Sequence, residues 1–480
     1  MMRRPQSEFT RATFSSIQLW TTIVVLVLAP LFFGSVDLFW IAVWTILLSF
    51  SALCGVVTPM ETGQSRILFC FLALCGIYAL VAIIQVAPHV VDPLNDPSWR
   101  RANELLGLDA LPRISSRAEI PPLAIGHFLL LATAFTSGFC IGTSRQNSDR
   151  LIWFAQHSIL LYAIYGLAAL ILTPDTVLWA PKLAYRGSLT ATFVNHNTAA
   201  TFVGAGAILW FCFAFSSLQS FRFSSIRLLL LIRANEQLAF RVLARSAGAL
   251  ACFFALLLTG SRGGLICSCL GLLVAVTLMV ANRKKPSFWH MVAWGGVALA
   301  AIIVLLSRLG RIGSHGLFDD ARWSVYGFCV EAIRQRPLLG AGVGTFADLF
   351  PSLRASDFYS WGVWEQAHST ILEIAVEMGI PVAALVVVAA LASLFILGRA
   401  TVKSEGRSRR ALAAITGIVV LSYLHSMIDF SLQIPGYLVL FGILIGCGLA
   451  RASAVPATAG AAARSHGLPE TADPKAALRS

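Results

Sequence analysis

Long apolar runs separated by short polar segments repeat along the whole chain. A helix of about 17–25 apolar residues crosses the ~30 Å hydrocarbon layer of a membrane, and most of the runs reach that length. Twelve runs are present: 17–33, 38–57, 67–86, 123–141, 151–172, 199–215, 247–258, 265–281, 288–306, 380–397, 411–428 and 434–450. The seventh is shorter than a spanning helix requires. The pattern predicts an all-α polytopic membrane protein with about 12 transmembrane helices.

Composition and charge support this prediction and orient the helices. Charged residues make up 12% of the chain, about half the usual fraction in soluble domains. With the N-terminus inside, the even-numbered loops and both tails contain 23 of the 36 lysines and arginines but only 7 of the 23 acidic residues. Cytoplasmic segments of membrane proteins show this basic bias. The net charge of +13 therefore reflects topology, and it does not predict nucleic-acid binding.

The topology divides the chain into three parts: a cytoplasmic N-terminus (1–16), a transmembrane domain (17–451) and a disordered cytoplasmic tail (452–480). Two outward loops are long, 87–122 and 307–379. The inward loop 216–246 is rich in arginine, and we expect an interfacial helix within it.

The second long outward loop, 307–379, has a helical pattern of its own. An amphipathic helix is predicted to begin at Asp319 or Asp320 and to end at Pro337. The residues expected on its apolar face are Trp323, Tyr326, Val330 and Ile333.

A glycine-rich turn, "PLLGAGVGTF" at 337–346, follows this helix. Such a turn has two interpretations, a phosphate-binding loop or a tight connection. No strand precedes the glycines, and their spacing differs from a dinucleotide-binding fingerprint. The sequence therefore favours a tight connection.

Several unusual polar residues fall at the outer ends of the predicted spans. They are Asn195, His196, Asn197, Arg262, Arg322, His368, His425 and Asp429. These residues also have simple structural interpretations: the asparagines around His196 cap a re-entrant turn, Arg262 is a snorkelling side chain and Arg322 a surface ion-pair partner. His368 lies in a solvated loop, and His425 and Asp429 form a structural hydrogen bond. The glycines that flank Arg262 in "LTGSRGG" at 258–264 also suggest a place where a ligand approaches the backbone. Because all eight residues converge on one face of the membrane, we predict a site there.

Two arginines and a histidine in such a site suggest a particular chemistry. Guanidinium groups bind phosphate oxygens in pairs, so Arg262 and Arg322 suit a diphosphate. A histidine such as His368 titrates near neutrality and can accept a proton from an attacking hydroxyl. The outward segments contain no dense acidic cluster for Mg²⁺ and no zinc-binding spacing, so we expect no metal or other cofactor. The sequence predicts a metal-independent transfer from a diphosphate.

The stretch "WEQAHSTILEIAVEMGIP" at 364–381 holds several candidates in addition to His368. Thr370 and Glu373 fit a capping box, which makes Glu373 a structural residue. Glu365 and Glu377 are interpreted as solvated, or as partners of a nearby arginine. Only the histidine is retained as a candidate for catalysis.

The order of these motifs, "NHN", "SRGG", an arginine before an amphipathic helix, "PLLGAGVGTF" and "AHSTILEIAVEMGIP", resembles the O-antigen ligase and polymerase superfamily between about residues 190 and 435. This resemblance implies a multi-pass glycosyltransferase of the bacterial inner membrane with a large periplasmic loop. It implies an undecaprenyl-diphosphate-linked glycan as donor, diphosphate binding by Arg262 and Arg322, and acceptor activation by His368. Members often have asparagine after this histidine, where this chain has Ser369.

The resemblance leaves the acceptor open. Ligases of this kind attach a glycan to the lipid A core, polymerases join repeat units, and related enzymes glycosylate proteins. We favour a ligase, with a polymerase as the alternative, and membrane lipids surround either. A transporter of lipid-linked sugars is a third interpretation. It is disfavoured because His127 and His157 are the only ionisable groups well inside the predicted spans.

Overall fold

The computed structural model describes residues 4–88, 91–219, 233–281, 320–353 and 364–454, and nearly all of its regular structure is helical. Within these ranges there are fourteen α-helices. They are α1 (Arg4–Leu28), α2 (Leu38–Gly55), α3 (Thr62–Val86), α4 (Pro97–Leu106), α5 (Pro122–Gly142), α6 (Arg145–Leu172), α7 (His196–Gln219), α8 (Arg233–Leu258), α9 (Arg262–Val280), α10 (Asp320–Gln335), α11 (Phe346–Leu353), α12 (Thr370–Lys403), α13 (Gly406–Ser426) and α14 (Pro435–Ser453). Strands β1 (Thr176–Val177) and β2 (Ala180–Pro181) form a small antiparallel hairpin.

Ten helices in the described ranges are long and apolar enough to cross a membrane, which confirms the prediction of an all-α polytopic membrane protein. The predicted run 288–306 and most of the tail 452–480 lie outside the described residues. The seventh span is longer than predicted and covers Glu236–Leu258. Its early turns contain Arg241 and Arg245, which interrupt the apolar pattern and hid this part of the helix. The end of the arginine-rich loop therefore belongs to α8.

Three helices form the centre of the bundle. In α7 and α14, 89% and 94% of the most apolar window is buried inside the protein, whereas in α3 only 6% is buried. Helix α13 is less apolar than a typical spanning helix, but it is enclosed by α7, α9, α12 and α14. Neighbouring helices rather than lipid therefore surround its serine, threonine and histidine side chains, and these can form hydrogen bonds across helices.

Helices α5 and α14 approach each other backbone to backbone. A Cβ atom added at Gly138 would lie 2.2 Å from the carbonyl oxygen of Ile443, and one added at Gly446 would lie 2.2 Å from that of Phe135. Both glycines belong to small-xxx-small patterns, "GFCIG" at 138–142 and "GILIG" at 442–446, which permit close packing of membrane helices.

Helix α10 packs as an amphipathic helix, and the residues it buries most deeply lie beside the predicted apolar face. Its buried residues are Val325, Cys329 and Ala332, which contact α11 and the start of α12. Of the four residues on the predicted apolar face, Ile333 and Tyr326 are half-buried, whereas Trp323 is 58% exposed and Val330 is 41% exposed from the protein. Apolar residues surround most of this helix, and the hydrophobic pattern alone does not select one side.

The described parts of the two long loops, 87–122 and 307–379, pack together. Arg336, just after α10, forms an ion pair with the buried carboxylate of Asp96, the N-cap residue of α4. Burial acts to raise the pKa of Asp96, but hydrogen bonds from Arg336 and Ser98 outweigh it and hold the pKa below its ordinary value. A second pair joins Arg117 to Asp348 of α11. These contacts fix the outward layer over the membrane helices.

We expect Gly138→Leu to lower the free energy of unfolding by about 3 kcal/mol, because the new side chain must push α14 away from α5. Thermal unfolding in detergent measures the loss. Gly76→Leu is the matched control, since no atom lies within 4 Å of a Cβ at Gly76. Equal effects of the two substitutions would contradict the close helix contact.

Candidate active site

His368 lies immediately before α12 in an unusual backbone conformation. Its φ is 53°, in the left-handed region, where a non-glycine residue costs on the order of 1–3 kcal/mol. The side chain of Tyr326 donates a hydrogen bond to the His368 carbonyl oxygen over 3.0 Å. The imidazole stands edge-to-face against the rings of Trp364 and Phe430, with centroids 4.9 and 4.8 Å away. The ring is therefore held in one orientation, with its side chain 20% exposed.

Glu373 stabilises the turn that contains His368. The N-cap residue of α12 is Ser369, so the predicted capping box at Thr370 was wrong. Instead, Glu373 accepts a hydrogen bond from the backbone N–H of Ala367 over 2.7 Å, and another from the Gln433 amide over 3.0 Å. Glu373 thus joins the turn before α12 to the segment between α13 and α14.

Asp429 lies at the centre of the site and has no exposed surface. Its carboxylate accepts hydrogen bonds from the Asn197 amide over 2.7 Å and from the Ser431 hydroxyl over 2.8 Å. The Nδ1 atom of His368 is 4.0 Å from the Asp429 Oδ2 atom. This separation is longer than a hydrogen bond and places the imidazole beside the buried carboxylate.

The two predicted asparagines have different roles. Asn195 accepts a hydrogen bond from the backbone N–H of Asn197 over 2.7 Å and so caps the start of α7. Asn197 also accepts a hydrogen bond from the Ser261 hydroxyl over 2.7 Å. Ser261 is the N-cap residue of α9 and directly precedes Arg262. Asn197 therefore connects the turn of Arg262 to Asp429.

His425 and His196 flank this centre. The Nδ1 atom of His425 is 2.6 Å from the Thr201 hydroxyl and 3.3 Å from that of Ser431. Ser431 contacts both His425 and Asp429, so it links the predicted pair. His196 Nδ1 is 2.8 Å from the Thr259 carbonyl oxygen.

Tyr185, which sequence reasoning missed, stacks on the His196 ring with centroids 4.1 Å apart. Burial raises the pKa of Tyr185, the charge of Asp429 raises it further, and the charge of Arg322 opposes the increase. The Tyr185 phenol therefore lies close enough to Asp429 and Arg322 for both charges to affect its pKa. A tyrosine in a long polar segment gives no distinctive sequence signal.

The two predicted arginines lie at different edges of the site. The Arg322 guanidinium donates a hydrogen bond to the Ile428 carbonyl oxygen over 3.0 Å, one residue before Asp429. Arg262 is the first residue of α9, where the helix dipole is positive, and it forms no hydrogen bond or ion pair within the described residues. The Arg262 guanidinium and the positive end of the helix dipole together favour a bound anion.

The glycines after Arg262 serve helix packing. A Cβ atom at Gly263 would lie 2.8 Å from Ile428 Cδ1, and one at Gly264 would lie 2.5 Å from the Ala200 Cβ atom. These two positions are filled by the protein itself.

The glycine-rich turn 337–346 surrounds a carboxyl group that belongs to the chain, that of Glu377. Gly340, Gly342 and Gly344 all have positive φ. The carboxylate of Glu377 accepts a hydrogen bond from the Phe346 N–H over 3.0 Å, and the adjacent N–H groups at 344 and 345 also point to it. The turn is thus a tight connection, as predicted, but Glu377 is a buried structural residue and not a solvated one.

Gln85 of α3 binds the other side of this turn and was also missed. Its amide donates to the carbonyl oxygens of Leu339 and Glu377 over 2.5 and 2.7 Å, and accepts from the Val343 N–H over 3.0 Å. A glutamine within an otherwise apolar run was the available signal. Glu365, in contrast, is exposed.

Part of the chain matches a known protein family. The family model described as O-Antigen ligase matches residues 247–387, a segment that contains Arg262, Arg322 and His368. It does not extend to Asn197 or Asp429. No curated protein matches the chain.

Replacing Glu377 with leucine leaves the N–H groups of the turn without an acceptor and should lower the free energy of unfolding by about 3 kcal/mol. Amide hydrogen exchange is expected to show faster exchange at Phe346. Glu365→Leu is the control, because its side chain is exposed. Unchanged protection at Phe346 in the Glu377 variant would rule out this structural role.

Proposed function

We propose that this protein transfers a glycan from undecaprenyl diphosphate to an acceptor hydroxyl, and the match of residues 247–387 to the O-antigen ligase family model supports this proposal. Members of this family are glycosyltransferase-like ligases and polymerases that use lipid-linked glycans and acceptors. The positive-inside distribution of charge supports a site on the periplasmic face of the inner membrane. The favoured acceptor is the lipid A core.

Arg262 and Arg322 bind the donor diphosphate in this proposal. Arg262 has no partner within the described residues and stands at the positive end of α9, so an anion there is stabilised by both. Arg322 is held close to Asp429 by the Ile428 carbonyl. As the glycosidic bond breaks, negative charge develops on the departing diphosphate, and fixed guanidinium groups stabilise it.

His368 acts as the general base, and the observation on which this depends is its pairing with Asp429 at 4.0 Å. His368 removes the proton from the acceptor hydroxyl, and the oxygen attacks the anomeric carbon opposite the diphosphate, which inverts that carbon. The imidazolium that forms is stabilised by the adjacent carboxylate. The reaction as written requires no metal ion: one C–O bond forms, another breaks, and the diphosphate leaves.

In vitro transfer from a defined lipid-linked glycan tests the proposal. Lipid A core and a second lipid-linked repeat unit are offered in separate reactions. Product on the core supports a ligase, whereas longer lipid-linked chains identify a polymerase. Absence of product with both acceptors, together with movement of the lipid-linked glycan across vesicles, would support a transporter and overturn transfer.

His368→Ala is expected to reduce transfer about 10²–10⁴-fold, since the general base is removed. His368→Asn should lose as much activity, and asparagine tolerates the left-handed backbone at this position. The His368→Asn variant therefore distinguishes an effect of losing the imidazole from an effect of disturbing the backbone turn. Glu365→Ala is the control that should retain activity. Full activity in His368→Asn would contradict the assignment of His368 as the general base.

Arg262→Lys should raise the KM for the lipid-linked donor and lower kcat/KM by about 10–100-fold, because an ammonium group cannot replace the two-pronged contact of a guanidinium. Steady-state kinetics with varied donor measure the change. Arg334→Lys, an exposed arginine on α10, is the matched control. Equal kinetics for the two variants would exclude Arg262 from donor binding.

A further inference from the structure

A basic cavity of about 360 Å³ lies at the end of the bundle opposite to the candidate active site. Helices α7, α8 and α13 each contribute to both ends. The start of α7 and the ends of α8 and α13 adjoin the active site, whereas the end of α7 and the starts of α8 and α13 line the cavity. This size is within the range of small-molecule binding pockets.

Four arginines line the cavity: Arg241, Arg245, Arg407 and Arg410. Asp149 is its only lining carboxylate among the described residues, and that carboxylate is already paired with Arg451. The cavity thus has a concentration of positive charge that its own walls do not neutralise. Like charges in a partly desolvated space repel one another, and a bound anion would relieve this repulsion.

Two of these arginines are held rigidly by Phe213 of α7. The guanidinium of Arg410 lies 4.3 Å from the centre of the phenyl ring, and that of Arg245 lies 5.8 Å from it. Arg245 also donates to the Ser217 hydroxyl, and Arg410 donates to that of Ser216 over 3.4 Å. The buried Nε atom of Arg410 has no hydrogen-bond partner within the described residues. One donor of this lining residue is therefore left unsatisfied by the described residues.

The cavity continues toward the lipid. A second cavity of about 460 Å³ shares Asp149, Trp153 and Arg407 with the first. Trp153 is 51% exposed on α6, and Phe154 lines the same surface. Exposed tryptophans of this kind occur at the interface between head groups and acyl chains. The arrangement provides a polar chamber beside an apolar, lipid-facing wall.

We propose that this cavity binds the phosphodiester head group of an anionic membrane phospholipid, with the acyl chains along the wall formed by Trp153 and Phe154. Basic pockets between membrane helices suit such head groups. Guanidinium groups of Arg245 and Arg410 contact the phosphate oxygens, while Arg241 and Arg407 attract it at the rim. A free phosphate ion has the same binding chemistry, but it makes no use of the apolar wall.

Thermal unfolding of the full-length protein in phosphatidylcholine nanodiscs, with and without phosphatidylglycerol, tests this site. Phosphatidylglycerol should raise the Tm, because a ligand that binds only the folded state stabilises it. In Arg245→Gln/Arg410→Gln, the lipid affinity measured by native mass spectrometry should fall about tenfold or more. Arg399→Gln, an exposed arginine outside the cavity, should behave as wild type.

Asp149→Asn provides a test that misfolding cannot imitate. It removes the negative charge from the cavity, so phosphatidylglycerol should bind more tightly than to wild type. Unchanged lipid affinity in the double arginine variant would overturn the proposal. A Tm increase reproduced in full by inorganic phosphate would also overturn it, since the ligand would then be a free anion. Neither measurement depends on glycan transfer.

Discussion

The burial of the Asp429 carboxylate is the constraint on which the site depends. A fully buried ion costs several kcal/mol of desolvation unless donors surround it. Asn197 and Ser431 provide those donors from two different elements, so satisfying one charge fixes α7 against the segment between α13 and α14. Ser261 holds Asn197 from a third element, and His368 approaches from a fourth. The buried Asp429 carboxylate thereby holds together residues that are far apart in the sequence.

Most of the fold could be predicted from the sequence, because membrane helices are specified by a local property. An apolar run of sufficient length must become a helix in lipid, whatever its neighbours are. The prediction failed where local hydropathy is ambiguous. Arg241 and Arg245 concealed the start of α8, and the apolar residues around α10 did not distinguish the side that packs against α11 and α12.

The site could be predicted less completely. Polar residues at the ends of apolar runs are visible in the sequence, and several of the predicted residues do lie together in the structure: His368, Asp429, Asn197 and Arg322. Their partners were not visible, because a hydrogen bond between distant segments has no sequence period. Gln433, Ser261 and Tyr185 gave no signal for this reason. Glu377 was misjudged because its acceptor role depends on N–H groups about thirty positions earlier in the chain.

Because Glu377 occupies the N–H groups of the glycine-rich turn, it competes with any phosphate from solution for them. A carboxylate on the same chain is present beside its binding groups at an effective concentration on the order of millimolar or higher. Any phosphate from solution must displace this tethered occupant before it reaches the same N–H groups. The turn therefore keeps its N–H groups at 344–346 occupied by a group of its own chain.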